Sequence, residues 1–334
     1  MSIPVKRRSV LQTLGAVSAA LAASAVVRAQ GAGVAEWPQR TVTIVTPFAP
    51  GISVDVAARV TADTVSKRWG QPVVVDNKPG ADTMIGTRAF LDKRDGHTLL
   101  FTTHSTFTVV PLLYDNVPYD AVNDVSPVSL VVEDFLAVVA APSLPVKSLA
   151  EFVALARAAP GKMNYYAVPG TPQLAYLAFQ KSTGLETTYV GYTNPTGAVS
   201  DLAEGRIQVA IMPLALVLGT ARSGTVKLLA VTNGERAPVF PDVPTAKESG
   251  YAALSFGGLL GLFGPRDMPV ALQQKIAWDV SFILKDPLVR QRLLDAGLVP
   301  RGSSPAEFVA TLEAQRTKWA TIAREHNITP QRPR

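Results

Sequence analysis

Most of this chain alternates between short apolar runs and amphipathic stretches. Thr41 to Thr46 is rich in β-branched residues and bounded by Pro47, which predicts a strand buried on both faces. A helix is predicted next. It opens near Ser53, a good N-cap type, with Asp55 in the first turn, where a carboxylate favours the positive end of the dipole. Lys67 and Arg68 in its last turn, Gly70 at the left-handed position beyond it and Pro72 close it. Gln71 to Val75 reads as a second strand, Asn77-Lys78-Pro79-Gly80 as a turn, Ile85 to Leu91 as a helix and His97 to Thr103 as a third strand.

Pro127 to Ala140, PVSLVVEDFLAVVA, is the first long apolar crossing, and beyond it a fresh βα rhythm begins. Ser148 and Glu151 have capping-box spacing for a helix through Ala159, which Gly161 can end. Asn164 to Val168 is a predicted strand, and Gly170-Thr171-Pro172 turns into a helix with Thr171 as N-cap and Pro172 at N1. Strands over Thr187–Tyr192, Ile207–Met212 and Val226–Val231 are separated by helices over 197–204 and 215–222. Leu254 to Phe263 is the return crossing. Three helices follow, over 269–284, 287–296 and 305–324, each opening with proline near N1, and Ser304 with Glu307 has a second capping-box spacing. Alternation of this kind argues for parallel α/β units, and two crossings predict two domains that close over a cleft.

With 334 residues, 47% of them hydrophobic, the chain can fill two cores. Residues 1–29 read as a signal peptide: Lys6, Arg7 and Arg8 precede an apolar stretch from Leu14 to Val27, and Val27-Arg28-Ala29 fits a cleavage site. The pair Arg7-Arg8 with Leu11 resembles a twin-arginine signal, although Val10 and Gln12 depart from it, so Sec export stays open. Four of the 32 basic residues and none of the 26 acidic ones lie in that segment, so a net charge of +6 falls to +2 without it. No basic run interleaved with aromatics suggests a nucleic-acid partner. Without cysteine there is no disulfide, no thiolate metal site and no lipid attachment after the signal, and the expected product is a soluble periplasmic monomer.

Catalytic patterns are poor. The histidines are His97, His104 and His326, and there is no G-x-S-x-G elbow, no H-E-x-x-H helix and no phosphate-cradling loop. No enzyme, metal or cofactor is expected. Between the first strand and helix, Pro47 to Ile52 either makes a tight βα turn or presents backbone N–H groups to an anion. Loops at the carboxyl ends of strands supply the other candidate ligand contacts. From the first domain come Phe48, Pro50, Gly51, Ile52, Ser53 and Asp55, with His104, Ser105 and Thr106 after the third strand. The second domain offers Gly170, Thr171, Pro172 and Gln173, then Tyr192 and Thr193, then Met212 and Leu214. Thr171 could cap, bind or do both. An indirect role suits Asp55, since its free carboxylate would repel an anionic ligand.

The pieces WPQRTVTIVTPFAPGISVDVAAR, GQPVVVDNKPGADTMIG, DGHTLLF, LPVKSLAEFVALARAAPGKMNY, GTPQLA and FPDVPTAKESG resemble, in order, the tripartite tricarboxylate transporter substrate-binding proteins, the Bug or TctC family. The resemblance implies a type II periplasmic-binding-protein (Venus flytrap) fold of two α/β domains, with the C-terminal helices packed back on the first. On that reading, domain 1 spans 36–136 plus 258–330 and domain 2 spans 137–257. The implied function is capture of a small organic carboxylate for a membrane permease, with presentation of the ligand to a periplasmic sensor, or an enzyme acting on a carboxylate, as the other readings. Departures from the family pattern point to the ligand class. Ile52 stands where the first loop usually has a second glycine, Gln173 and Leu174 replace a serine and a histidine, and Met212-Pro213-Leu214 lacks a polar pair. A less polar acid with one carboxylate fits these better than citrate.

Overall fold

The first strand, Val42–Thr46 (β1), lies between two parallel neighbours, Val73–Asn77 (β2) and Thr98–Thr103 (β3). All of it but Thr43 is buried, so both of its faces are covered, which is why its sequence is a continuous β-branched run rather than an alternation. The crossovers Ser53–Trp69 (α1) and Met84–Leu91 (α2) lead to strands on opposite sides of β1, so right-handed connections put them on opposite faces of the sheet. Gly70 ends α1 in the left-handed conformation, with its N–H on Ser66 O. A Cβ on Gly86 would lie 2.7 Å from Pro47 Cα, so α2 packs directly on the loop that follows β1.

This computed structural model describes residues 37–192 and 194–332, and the signal-peptide reading of 1–29 lies outside them. Thr41–Arg334 form one compact unit. It holds two mixed sheets, ordered β11-β4-β10-β3-β1-β2 and β7-β6-β8-β5-β9. The single crossing expected over Pro127–Ala140 is two strands: Val125–Asp134 (β4) in the first sheet and Leu136–Ala140 (β5) in the second, with Phe135 between them. Met163–Ala167 (β6), Thr187–Tyr189 (β7), Val209–Pro213 (β8) and Lys227–Val231 (β9) complete the second sheet. Gly258–Pro265 (β10) returns to the first, where Leu298–Pro300 (β11), too short to show a sequence pattern, pairs with β4. The βα alternation predicts parallel units, and β1 with β2 and β3, and β6 with β7 and β8, pair that way. By contrast β10 runs antiparallel to both β3 and β4, and β5 to both β8 and β9, because a strand that enters from the other sheet comes in against the local βα direction.

Short helices Ser105–Thr108 (α3) and Val110–Leu113 (α4) occupy what read as an open loop after β3. The second half is wrapped by Leu149–Ala158 (α5), Thr171–Thr183 (α6), Pro195–Ala203 (α7) and Leu214–Arg222 (α8). Val270–Ile283 (α9), Pro287–Asp295 (α10) and Pro305–Glu325 (α11) close the chain. Ser304 and Glu307 form the full reciprocal capping box on α11. At α5 Ser148 caps the Glu151 N–H, but the Glu151 carboxylate turns to the Lys147 N–H, so that box is only half made. The last helix does not pack on the first half alone. Phe308 and Leu312 join Phe90, Leu100 and Phe263, whereas Trp319 and Ala323 are buried in the second half's core with Leu149, Tyr176 and Phe179.

Candidate functional site

Asp55 organises the loop after β1. It is buried in the first turn of α1, where its Oδ2 accepts from the Gly51 N–H and from Arg59 Nε, both at 2.9 Å, and its Oδ1 accepts from Asn77 Nδ2 at 2.8 Å. Asn77 also donates to Phe48 O at 3.0 Å. The side chain thus faces its own loop. Burial alone would raise its pKa, but the bonds from Arg59, Gly51 and Asn77 outweigh that and hold it below the ordinary carboxylate value. A lowered pKa contributes stability that is present above the unfolded value, near 4, and lost as pH falls through the folded one. Asp55→Asn is expected to cost about 1–3 kcal/mol near neutral pH, with half-exposed Arg59 supplying the smaller share. Urea unfolding should show wild type and variant converging in acid. A difference that persists there would assign the loss to packing instead of charge.

Ser53 is the first helical residue and not the N-cap. Ile52 holds the cap position in extended backbone, and no side chain caps the helix. The Ser53 hydroxyl is consequently free to donate 2.5 Å to Asp134 Oδ2 at the end of β4. Ser53, Val54 and Asp55 are buried, so the N–H groups of a first turn, which have no partners within a helix, lie here in the protein interior. Phe48 and Ile52 are half-buried, while Pro50 and Gly51 are exposed at the tip of the loop.

The two halves touch at the end of β3. His104 is buried, with Nδ1 3.0 Å from Thr108 Oγ1 and Nε2 3.4 Å from Thr171 Oγ1 across the interface. Burial and the charge of Lys318 push its pKa down to about 4, against a backbone bond to Gly257 that favours the charged form, so the ring is neutral at neutral pH. Beside it Ser105 Oγ pairs with Thr103 Oγ1 at 2.7 Å, and a Cβ on Gly170 would lie 2.7 Å from that same Ser105 oxygen. Gly170, not Thr171, holds the N-cap position of α6, with φ 89° and ψ −133°. The Thr171 hydroxyl, displaced from the cap by one residue, is what reaches His104.

The remaining candidates divide. Pro172 is buried in the first turn of α6, while Gln173 beside it keeps a buried Oε1 without a partner among the described residues. Tyr192 is half-buried, with its ring edge-on to Tyr166 at 5.2 Å and its hydroxyl on Asp201. Thr106 is turned inward, with Oγ1 on Thr102 Oγ1 at 2.8 Å and its carbonyl taking the Tyr119 hydroxyl. Met212 and Leu214 are fully buried in the second half's core beside Phe135, Tyr166 and Val217, so apolar packing accounts for their side chains. Thr193 lies outside the described residues. Among the buried, unpartnered groups of the described residues that escaped the sequence reading are Thr46 Oγ1, Tyr166 OH and Asp134 Oδ1. For Asp134 a signal existed, an acidic pair interrupting the apolar run of the first crossing.

Among the described residues no cluster of His, Asp and Glu could hold a metal ion, and no helix is long and apolar enough to cross a membrane.

A family model described as "Tripartite tricarboxylate transporter family receptor" matches residues 57–328. Rpa4515 of R. palustris, solved with adipate, superposes with a TM-score of 0.82 at 29% identity over 88% of this chain and 100% of its own. The periplasmic binding protein BugD superposes at 0.80 with 27% identity over 88% and 100%. MatC from Rhodopseudomonas palustris, solved with bound malate, gives 0.78 at 29% identity over 86% and 99%.

Proposed function

The chain belongs to the tripartite tricarboxylate transporter receptor family of periplasmic solute-binding proteins, and from that premise we propose that it captures a small, weakly polar organic acid between its two halves for delivery to a membrane permease. The observation that carries this reading is the helix start at Ser53 to Asp55, uncapped and buried. Backbone N–H groups there suit a carboxylate. The loop that leads into them is held by Asp55 and by the packing of Gly86 on Pro47, so the donors are positioned in advance. The ligand contacts come from this loop, from the Ser105 region and from the start of α6, the last two of which meet where the halves touch. The domain limits are those read from the sequence, with one hinge at Phe135 and the other between β9 and β10.

Ile52 tunes the ligand class. It sits at the mouth of the helix start, half-buried and in extended backbone open to any residue, so its side chain and not its backbone is what distinguishes it from glycine. Burying an isoleucine contributes about 1.5–3 kcal/mol, of which a ligand captures part. Ile52→Gly is therefore expected to weaken an apolar monocarboxylate such as benzoate by a few-fold to about tenfold, and to improve binding of the more polar malate. Calorimetric titration of wild type and variant with benzoate, adipate and malate tests this, alongside native mass spectrometry of gently purified protein for a co-purified acid. A uniform loss across the three would mean that Ile52 only stiffens the loop. No carboxylate bound in either measurement would overturn the receptor reading.

A further inference from the structure

Asp134 ends β4, where the chain leaves the first sheet for the second. Its neighbour across the sheet is Gly258, the first residue of β10, and the next residue, Leu259, accepts the His104 N–H at 2.8 Å. Asp134 therefore sits two strands, about 10 Å, from the contact between His104 and Thr171. The Ser53 hydroxyl donating to Oδ2 ties it also to the helix start assigned above to the ligand. The carboxyl is 3% exposed, and Oδ1 has no hydrogen-bond partner among the described residues. A buried polar oxygen left without a partner is costly, so Oδ1 is a place for a ligand atom to make the missing hydrogen bond.

The charged surroundings decide what that is. Glu133, adjacent in the chain, is itself acidic and is held by Arg301 and by Asn233 Nδ2 at 2.8 Å. On α1 the nearest acid is Asp55, already occupied by Arg59, Gly51 and Asn77. On β10 and β11 the pairing residues are Gly258 and Leu298, which carry no charge, and His104 is neutral. Glu235 turns to Arg301. Among the described residues no cation is thus placed to neutralise an ionised Asp134, and burial, opposed by the Ser53 hydroxyl and aided by Glu133, pushes its pKa up to about 7.

Resting on the receptor reading, we propose that Asp134 is a specificity-determining residue that meets the captured anion as a neutral carboxylic acid, donating a hydrogen bond from Oδ1 to a ligand carboxylate oxygen. The uncapped N–H groups of α1 then take the anion's other oxygen. An ionised Asp134 would oppose the same ligand, so above its pKa each capture draws one proton from solvent. The receptor consequently prefers an acid whose carboxylate can share that proton and which brings no second charge to the site. An amino acid, whose ammonium group would pair with ionised Asp134, has the opposite pH dependence.

The test uses the whole protein with benzoate, adipate and glycine as probes. Affinities are measured by calorimetry from about pH 6 to about pH 9, in two buffers of different ionisation enthalpy to count protons. Benzoate affinity is expected to fall about tenfold per pH unit above the Asp134 pKa, with uptake of one proton. Asp134→Asn keeps the shape and an N–H donor but cannot titrate, so its benzoate affinity should be independent of pH, a result that a purely structural role for Asp134 would not produce. Infrared difference spectra of wild type minus Asp134→Asn, recorded without added ligand near pH 6, should show the carbonyl band of a protonated acid. An ionised band there, pH-independent binding of benzoate by wild type, or glycine bound more tightly than benzoate at about pH 6 would each overturn the proposal while leaving the receptor reading intact. Failure of every carboxylate to bind would overturn both.

Discussion

Gly170→Ala is expected to weaken binding of the tightest acid in the panel by about ten- to a hundredfold while each half stays folded. Two separate costs meet at this residue. Its φ of 89° with ψ of −133° is open essentially to glycine alone, and holding alanine there costs about 1–3 kcal/mol. The new methyl would also lie 2.7 Å from Ser105 Oγ and 3.1 Å from Ser105 Cβ, atoms of a short side chain already bonded to Thr103. Such overpacking costs a further ~1–3 kcal/mol, but this part is relieved when the halves part, so it falls on closure and not on folding. At about 1.4 kcal/mol per factor of ten, the closure cost alone gives the range stated. Ser105→Ala in the Gly170→Ala background should restore part of the affinity by removing the hydroxyl, and small-angle scattering should show Gly170→Ala more open than wild type with the same acid present. Unchanged affinity, or a loss that Ser105→Ala leaves untouched, would remove the contact between Ser105 and Gly170 from any account of closure.

That contact marks how far the sequence could be read. Local rules found β1, α1 and the Gly70 stop because each depends on neighbours within a few residues. They also found Gly170-Thr171-Pro172 as a helix start. The assignment of the cap slipped by one, since Thr is a common N-cap type and the sequence carries no sign that Ser105 from the other half leaves room only for a glycine there. Ser53 slipped the same way. Its hydroxyl looked like a cap because Asp134, 81 residues on, was invisible as its partner. The strand break at Phe135 was hidden for a related reason: β4 and β5 follow one another in a largely apolar stretch, and hydropathy does not say which sheet each joins. Met212 and Leu214 looked like ligand contacts because they follow a strand, yet the second core closes over them. Local geometry was therefore legible where a loop depends on its own backbone, as at Gly51 to Asp55. It was hidden where the geometry depends on which distant side chain arrives, as at Ser53 and Gly170.

Trp319→Ala is expected to be the most destabilising single change, costing about 3–5 kcal/mol. The indole is fully buried, meets Phe256 edge-on at 5.9 Å and donates from Nε1 to Gln315 Oε1 at 3.0 Å. Its position adds to the effect. The 21 residues of α11 make a rod about 30 Å long, fixed at one end by Phe308 and Leu312 in the first half's core and at the other by Trp319 and Ala323 in the second half's. Truncation at 319 opens a cavity in one core and also frees the rod from that half, whereas Phe308→Ala opens a cavity in the other. Against the ~5–15 kcal/mol typical of a folded domain, either loss is large. Urea unfolding followed by circular dichroism should therefore show the second half melting first in Trp319→Ala, as an early phase absent from wild type, and the order reversed in Phe308→Ala. If both variants merely shift one cooperative transition to the same lower midpoint, α11 does not join two separable halves, and the hinge at Phe135 would have to flex inside a single folding unit. If Trp319→Ala costs under about 1 kcal/mol, the last turns of the helix are dispensable to the second half's core.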